Sequence, residues 1–78
     1  MTVEWTAAAL ASARRYMRDQ PGMRAVDAAV AALAGDPLPP EGFHRGGYHR
    51  LRVGPYRVMY AIDDDVITVE RVDRLDSE

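Results

Sequence analysis

With 78 residues, the chain has room for one small domain, spanning 1–78, and for no second hydrophobic core. It has no cysteine, which excludes disulfide frameworks and thiolate zinc sites, and it has no apolar run near the roughly 20 residues that cross a bilayer. These features, with a net charge of −2, favour a soluble cytoplasmic protein that does not enter a membrane.

The first half of the chain predicts a short strand and two helices. Residues 2–5 alternate as in a strand, Thr6 is a candidate N-cap, and the alanine-rich residues 7–18 have high helix propensity. The Gln-Pro-Gly sequence at 20–22 interrupts this helix, and residues 23–34 predict a second one. Helices joined by so short a break form an antiparallel hairpin.

The second half predicts a loop and then three strands. Residues 36–47 contain three prolines and three glycines and predict a loop, while residues 48–72 predict three consecutive antiparallel strands. Side chains alternate faces along a strand. One face therefore collects the apolar residues Leu51, Val53, Val58, Tyr60, Ile62, Ile67 and Val69, and the opposite face collects Arg50, Arg52 and Arg57.

The charges are unevenly distributed along the chain. Residues 43–60 carry four arginines and no acidic residue, whereas residues 61–78 carry two arginines and seven acidic residues. All ten basic residues are arginine, whose forked donors suit bidentate binding of phosphate or carboxylate. A GC-rich coding sequence would account for the missing lysine, so the clustering is the informative feature. It predicts an anion-binding face on the sheet.

The facing of the side chains also predicts the strand registers. A turn at residues 54–55 pairs Arg52 with Arg57, and a turn at residues 63–64 pairs Arg57 with Glu70. Like charges directly opposite each other are destabilising. The arginine pair therefore needs a counter-ion, either Glu70 from within the protein or a phosphate from outside.

The order of strand, helical hairpin, Pro-rich loop and meander, with R-L-R-V-G-x-Y-R-V-x-Y-x-I-D at residues 50–63, resembles the RelE/ParE family of bacterial type II toxins. The resemblance covers nearly the whole chain. It implies an α+β fold, in which a short N-terminal strand and a helical hairpin precede a three-stranded antiparallel meander packed on the helices. It also implies a cognate antitoxin as partner in a hetero-oligomer. The RelE branch cleaves ribosome-bound mRNA without metal, and the ParE branch acts on DNA gyrase.

The same resemblance assigns roles to five arginines. Arg57 matches the arginine that stabilises charge on the scissile phosphate in the nuclease branch, and Arg74 stands for an arginine of the last strand, so these two are the candidate catalytic residues. Arg50, Arg52 and Arg45 are the candidate residues for binding the RNA phosphates. No metal and no other cofactor is implied.

The end of the chain departs from the family pattern, because the family's His and terminal Tyr are missing after Val72. General acid/base catalysis contributes roughly 10²- to 10⁴-fold, whereas arginine supplies only charge stabilisation. The leading hypothesis is therefore an endoribonuclease toxin whose cleavage of ribosome-bound mRNA is weakened or lost. The alternative is a toxin that binds a protein such as gyrase, or a degenerate partner kept for antitoxin complex formation and autoregulation. The short acidic tail is expected to fold back on Arg50, Arg52 and Arg57 or to leave that face open for an acidic antitoxin segment.

Other conspicuous residues have structural explanations. His49 shares the facing of the core residues, and His44 falls in the predicted loop, which is poor support for a zinc site. Trp5 and Phe43 are expected to fill the small core rather than to stack on bases. The helix arginines form a solvated face or line an antitoxin groove. They are Arg14, Arg15, Arg18 and Arg24.

Overall fold

The structure is a computed structural model and describes residues 1–75. Its elements are β1 (Thr2–Trp5), α1 (Ala7–Arg14), α2 (Gln20–Ala32), β2 (Phe43–Arg45), β3 (Tyr48–Val53), β4 (Tyr56–Asp63) and β5 (Val66–Arg74). The strands form one sheet in the order β1-β5-β4-β3-β2, in which β1 is parallel to β5 and the other neighbours are antiparallel. The predicted α+β class is confirmed, but the sheet gains a fifth strand, β2, from within the expected loop.

Both helices pack on the same face of this sheet, α1 against β5 and α2 against β3 and β4. The apolar facing of the strands is confirmed, with Val53 and Ile62 partly buried at the border of the core. The fully buried apolar residues are Ala9, Val26, Val30, Leu33, Leu51, Tyr56, Val58, Tyr60, Ile67, Val69 and Val72. No helix among residues 1–75 covers the other side of the sheet, which we call the open face.

Helix α1 begins where the sequence predicts and ends earlier. The Thr6 hydroxyl oxygen accepts a hydrogen bond from the Ala9 backbone N–H at 2.9 Å, which confirms the N-cap. The α-helix ends at Arg14, not at residue 18, because the next turn changes to i to i+3 bonds, such as Met17 N–H to the Arg14 carbonyl at 3.3 Å. High alanine content extends helix propensity but does not fix where a helix ends.

Helix α2 begins three residues before its predicted start. Asp19 is the N-cap, and its Oδ1 accepts a hydrogen bond from the Gly22 N–H at 3.0 Å. Pro21 lies in the first turn, where its missing N–H costs no helical hydrogen bond. The other Asp19 oxygen, Oδ2, accepts from the Tyr56 hydroxyl at 2.7 Å, and this bond lowers the pKa of Asp19 and raises the pKa of Tyr56. A capped helix start is thereby tied to strand β4.

Only one of the two predicted registers is correct. Strands β3 and β4 pair Arg52 with Arg57 as expected. Strands β4 and β5 pair Arg57 with Asp73, not with Glu70. The tight turn lies at residues 64–65, where Asp64 takes a φ of 55°, a left-handed conformation that Asp tolerates. This two-residue shift preserves the facing of every side chain, so facing alone could not detect it.

A β-bulge then adds one more residue of offset between β4 and β5. Met59 pairs with Arg71 and Tyr60 pairs with Val69, which leaves Glu70 as the extra residue of the bulge. The bulge restores Val72 to the buried face and places Asp73 on the open face opposite Arg57. Strand β5 therefore presents a different carboxylate to the arginines from the one that its pattern indicates.

The two histidines converge on the helix face. His49 is buried, as its facing predicts, and stacks on Tyr60 with ring centroids 5.3 Å apart. His44 lies in β2 directly opposite His49, with their Nδ1 atoms 3.1 Å apart. Its Nε2 donates to the Pro39 carbonyl at 2.8 Å. Burial, and secondarily the charge of His44, lowers the pKa of His49.

This shift predicts a pH dependence of stability. The folded protein disfavours protonated His49, so the pKa of His49 in the folded state lies below the ordinary value of 6.5. Neutral His49 therefore contributes fully to the free energy of unfolding above pH 6.5. This contribution is lost as the pH falls from there toward the folded-state pKa. We expect the free energy of unfolding, measured by urea denaturation, to fall as the pH is lowered below the ordinary His49 pKa of 6.5. His49→Phe keeps an aromatic ring on Tyr60 and should flatten this slope. An equal slope in both proteins would contradict the assignment to His49.

Candidate functional site

Strands β3 and β4 bring three of the predicted arginines together on the open face. Arg50, Arg52 and Arg57 line one pocket of about 270 Å³, whose remaining walls are Glu41, Gly42, Phe43 and Leu75. Arg52 and Arg57 are direct cross-strand partners. The three guanidinium groups supply donors of the kind that bind anions, and Glu41 places one carboxylate on the pocket wall.

Asp73 already occupies the fork of Arg57. Arg57 Nε lies 3.0 Å from Asp73 Oδ1, and Nη2 lies 3.2 Å from Oδ2, so the pair is bidentate. Arg71 adds a longer contact of 3.7 Å to the same carboxylate. The hydrogen bonds that Arg57 donates to Asp73 raise the pKa of Arg57. The expected counter-ion is thus internal, but it is Asp73, because Glu70 lies in the bulge.

The other two arginines of the pocket are held by weaker contacts. Arg52 Nε donates to the Gly54 carbonyl at 2.8 Å, at the turn between β3 and β4. The Arg50 guanidinium carbon lies 4.9 Å from the centre of the Phe43 ring. Each guanidinium has five N–H donors. Both arginines therefore keep donors that an incoming phosphate can reach.

The structure separates the two candidate catalytic arginines. Arg74 is the cross-strand partner of Tyr56, whose ring is buried on the helix face, whereas Arg57 lies on the open face. The Arg74 guanidinium carbon lies 5.5 Å from the Tyr56 ring centre, and its Nη1 donates to the phenol oxygen at 3.4 Å. Arg57 and Arg74 therefore do not face one phosphate.

Arg45 lies at the end of β2, opposite Tyr48, and is exposed. It shares the open face but does not line the arginine pocket. The last three residues of the acidic tail that is expected to fold back on the arginines, 76–78, lie outside the described residues.

Tyr48 is the acid/base candidate that the structure brings to the open face. It is exposed, and its ring packs against Phe43, which lines the arginine pocket. Tyr56 is buried beneath the helices, and His49 points into the core. Neither of these two groups can reach a phosphate in the arginine pocket.

Phe43 lies outside the core, contrary to expectation. It is exposed on the open face, and its ring meets Tyr48 edge to face with centroids 6.0 Å apart. The pairing of Phe43 with Arg50 fixes this facing. The sequence does carry a signal for this strand, because residues 43–45 alternate with the same period as β3. The surrounding prolines and glycines favour a loop instead.

The described residues contain no cluster of three or more His, Cys, Asp or Glu side chains that could hold a metal ion. Among them there is also no helix of the length and apolar character that crossing a membrane requires.

Comparison with known proteins places this geometry in a family. The family model described as the ParE toxin of the type II toxin–antitoxin system parDE matches residues 3–74. The toxin–antitoxin complex RelBE2 from Mycobacterium tuberculosis is 31% identical, with 96% of this chain and 92% of that chain covered and a TM-score of 0.55. The chain belongs to the RelE/ParE family of type II toxins.

Two further structures share the toxin's fold. The archaeal RelE–RelB complex from Pyrococcus horikoshii OT3 is 19% identical, covers 99% of the toxin and 97% of its own chain, and has a TM-score of 0.75. The chromosomal ParDE system from P. aeruginosa is 18% identical, with 97% of each chain covered and a TM-score of 0.76. Comparison of the toxin with curated proteins gave no match.

The helices of the toxin carry a second surface feature. A groove of about 280 Å³ is lined by Met17, Gln20, Met23, Arg24 and Asp27. Met17 is largely exposed, and flexible methionines are common at surfaces that bind other proteins. Arg24 therefore lies at a partly apolar groove, and its contact with an antitoxin stays a prediction.

Proposed function

We propose that this toxin acts on RNA through its open face in the cytoplasm, as a RelE-like toxin, and that it cleaves RNA weakly or not at all. The observation that carries this proposal is the convergence of Arg50, Arg52 and Arg57 on one pocket. Residues 43–60, which supply these arginines, contain no acidic side chain. A positively charged, uncovered sheet face suits a phosphate backbone.

The geometry supplies charge stabilisation but little proton transfer. Cleavage by a ribose 2′-hydroxyl needs a base for that hydroxyl and an acid for the leaving oxygen. The phenol of Tyr48 is a weak base at neutral pH, and the carboxylate beside Arg57, that of Asp73, is bound by the Arg57 guanidinium. Glu41 on the pocket wall is another carboxylate near the arginines. Arg57 is also held by Asp73 and must exchange that carboxylate for a phosphate. Binding without efficient cleavage follows from these two features.

We further propose that a cognate antitoxin neutralises the toxin in a hetero-oligomer. The groove around Met17 and Arg24 on the helices offers apolar surface with flanking charge. The related structures include toxin–antitoxin complexes with RelB, which supports such a partner. The ribosome and its mRNA would then be the targets of the toxin that is free of antitoxin.

A second candidate function is inhibition of a protein target such as DNA gyrase. The matching family model is that of the ParE toxin, and Asp73 leaves the arginine pocket partly neutralised. A protein surface with acidic side chains could bind Arg50 and Arg52 without any chemistry on phosphate. This candidate predicts inhibition of DNA supercoiling in place of RNA binding.

Induced expression without antitoxin tests the two candidates. We expect ultraviolet crosslinking to recover RNA bound to the toxin, and mapping of transcript 5′ ends to show few new codon-specific ends. Arg52→Ala should reduce the crosslinked RNA, since it removes one phosphate contact. Inhibited supercoiling without crosslinked RNA would favour the protein target. Abundant codon-specific ends would instead show an active nuclease.

A further inference from the structure

Two aromatic side chains are exposed beside the arginine pocket. Phe43 is 42% exposed and Tyr48 is 45% exposed, and both lie on the open face. The chain has six aromatic residues in all, and the other four are buried or pack against the core. An apolar ring that is left exposed while every other ring of its kind is packed needs a separate explanation.

The backbone holds this pair in place. A turn at residues 46–47, with Gly46 at a φ of 59°, joins β2 and β3 and sets Phe43 opposite Arg50. The rings of Phe43 and Tyr48 meet at an interplanar angle of 67°, and the Arg50 guanidinium lies over the Phe43 ring. We call Phe43, Tyr48 and Arg50 the aromatic edge. Its rings are presented by two paired strands, not by a mobile loop.

The aromatic edge is continuous with the arginine pocket. Phe43 and Arg50 belong to the edge and also line the pocket. Proteins that bind single-stranded nucleic acid combine a positively charged track for the backbone with aromatic rings on which bases stack. Arginine planes also stack on bases. Strands β2 and β3 bring these two kinds of group side by side.

We propose that Phe43 and Tyr48 bind a base of single-stranded RNA, stacked on one ring and in contact with the other, whose adjoining phosphate lies among Arg50, Arg52 and Arg57. The proposal rests on the RNA-directed function proposed above. Glu41, on the pocket wall, keeps the phosphate toward the arginines and can accept a hydrogen bond from the amino group of a base. The ring pair thus supplies affinity that depends on the base and not on the phosphate backbone.

Two probes separate base stacking from phosphate binding. One is a short single-stranded oligoribonucleotide, and the other is the same ribose–phosphate chain without bases. Phe43→Leu and Tyr48→Leu should each weaken binding of the complete RNA by roughly 5- to 100-fold, the range for loss of one stacked base. Neither should change binding of the chain without bases. Arg52→Ala should weaken both, and Leu38→Ala, an exposed apolar side chain outside the pocket and the edge, should weaken neither.

Phe43→Trp is a control, because it keeps a stacking ring and should retain RNA affinity. Circular dichroism of each variant checks that a loss of affinity does not come from misfolding. Equal loss on both probes, or unchanged affinity in both leucine variants while Arg52→Ala loses RNA, would overturn the stacking role and leave the arginine pocket standing. Binding of neither probe by the wild-type toxin would overturn the RNA-directed function together with the stacking role.

Discussion

Arg57→Ala is expected to abolish growth inhibition when the toxin is expressed without its antitoxin. The substitution removes one of three guanidinium groups from the pocket and leaves the Asp73 carboxylate without its bidentate partner, although with its 3.7 Å contact to Arg71. The pocket therefore loses a positive charge and exposes a negative one. Both changes oppose an incoming phosphate. Growth after induction, at equal protein level, measures the effect.

A matched control for this variant is Arg24→Ala, which removes an exposed arginine from α2, on the opposite side of the sheet. It should leave growth inhibition intact. The double variant Arg57→Ala/Asp73→Asn removes the exposed carboxylate as well and should recover part of the RNA affinity. Full toxicity of Arg57→Ala would exclude the arginine pocket as the toxic site and favour a protein target bound elsewhere.

Asp73→Asn is expected to strengthen RNA binding by about tenfold, the scale of one added charge-assisted contact. Asparagine keeps the size of the side chain and removes the charge, so the fork of Arg57 becomes available to a phosphate. Arg71 is released from the same carboxylate and adds positive charge to the open face. Titration of single-stranded RNA measures the change.

The cost of this substitution to folding should be small. The Arg57 and Asp73 side chains are 32% and 20% exposed, and partly exposed ion pairs contribute up to about 1 kcal/mol to the free energy of unfolding. Glu70→Gln is the matched control, because it neutralises an acid of the same strand that lies in the bulge and not in the fork. Equal gains in both variants would show that overall charge, and not release of Arg57, determines RNA affinity.

The sequence was sufficient to predict the facing of the strands. Alternation over β3 and β4 placed Leu51 and Val58 in the core and Arg52 and Arg57 on the opposite side, and the structure agrees. A single buried face constrains this pattern strongly, since a shift by one residue would exchange the two faces. The arginine pocket could therefore be anticipated in its main residues.

Pairing partners across β4 and β5 could not be predicted in the same way. Facing does not distinguish registers that differ by two residues, and a bulge leaves no mark in the alternation. The position of the turn determines the register, and three consecutive aspartates at residues 63–65 offer several equivalent positions for it. The partner of Arg57 was consequently mistaken for Glu70.

Strand β2, at the edge of the sheet, is the other element that could not be predicted from the sequence. β2 has only three residues and lies between a proline-rich segment and a glycine pair, so local composition favoured a loop. Its strand conformation comes from pairing with β3, a tertiary contact. That pairing is what identifies Phe43 as a surface residue.

The most direct test of RNA binding at the arginine pocket is the salt dependence of single-stranded RNA affinity. Each phosphate contact contributes about 0.7 to the slope of log affinity against log salt concentration. With Arg50 and Arg52 available and Arg57 held by Asp73, we predict a slope of about −1.4 for the wild type and about −2.1 for Asp73→Asn. A wild-type slope near zero, or one that Arg50→Ala and Arg52→Ala leave unchanged, would contradict RNA binding at this face.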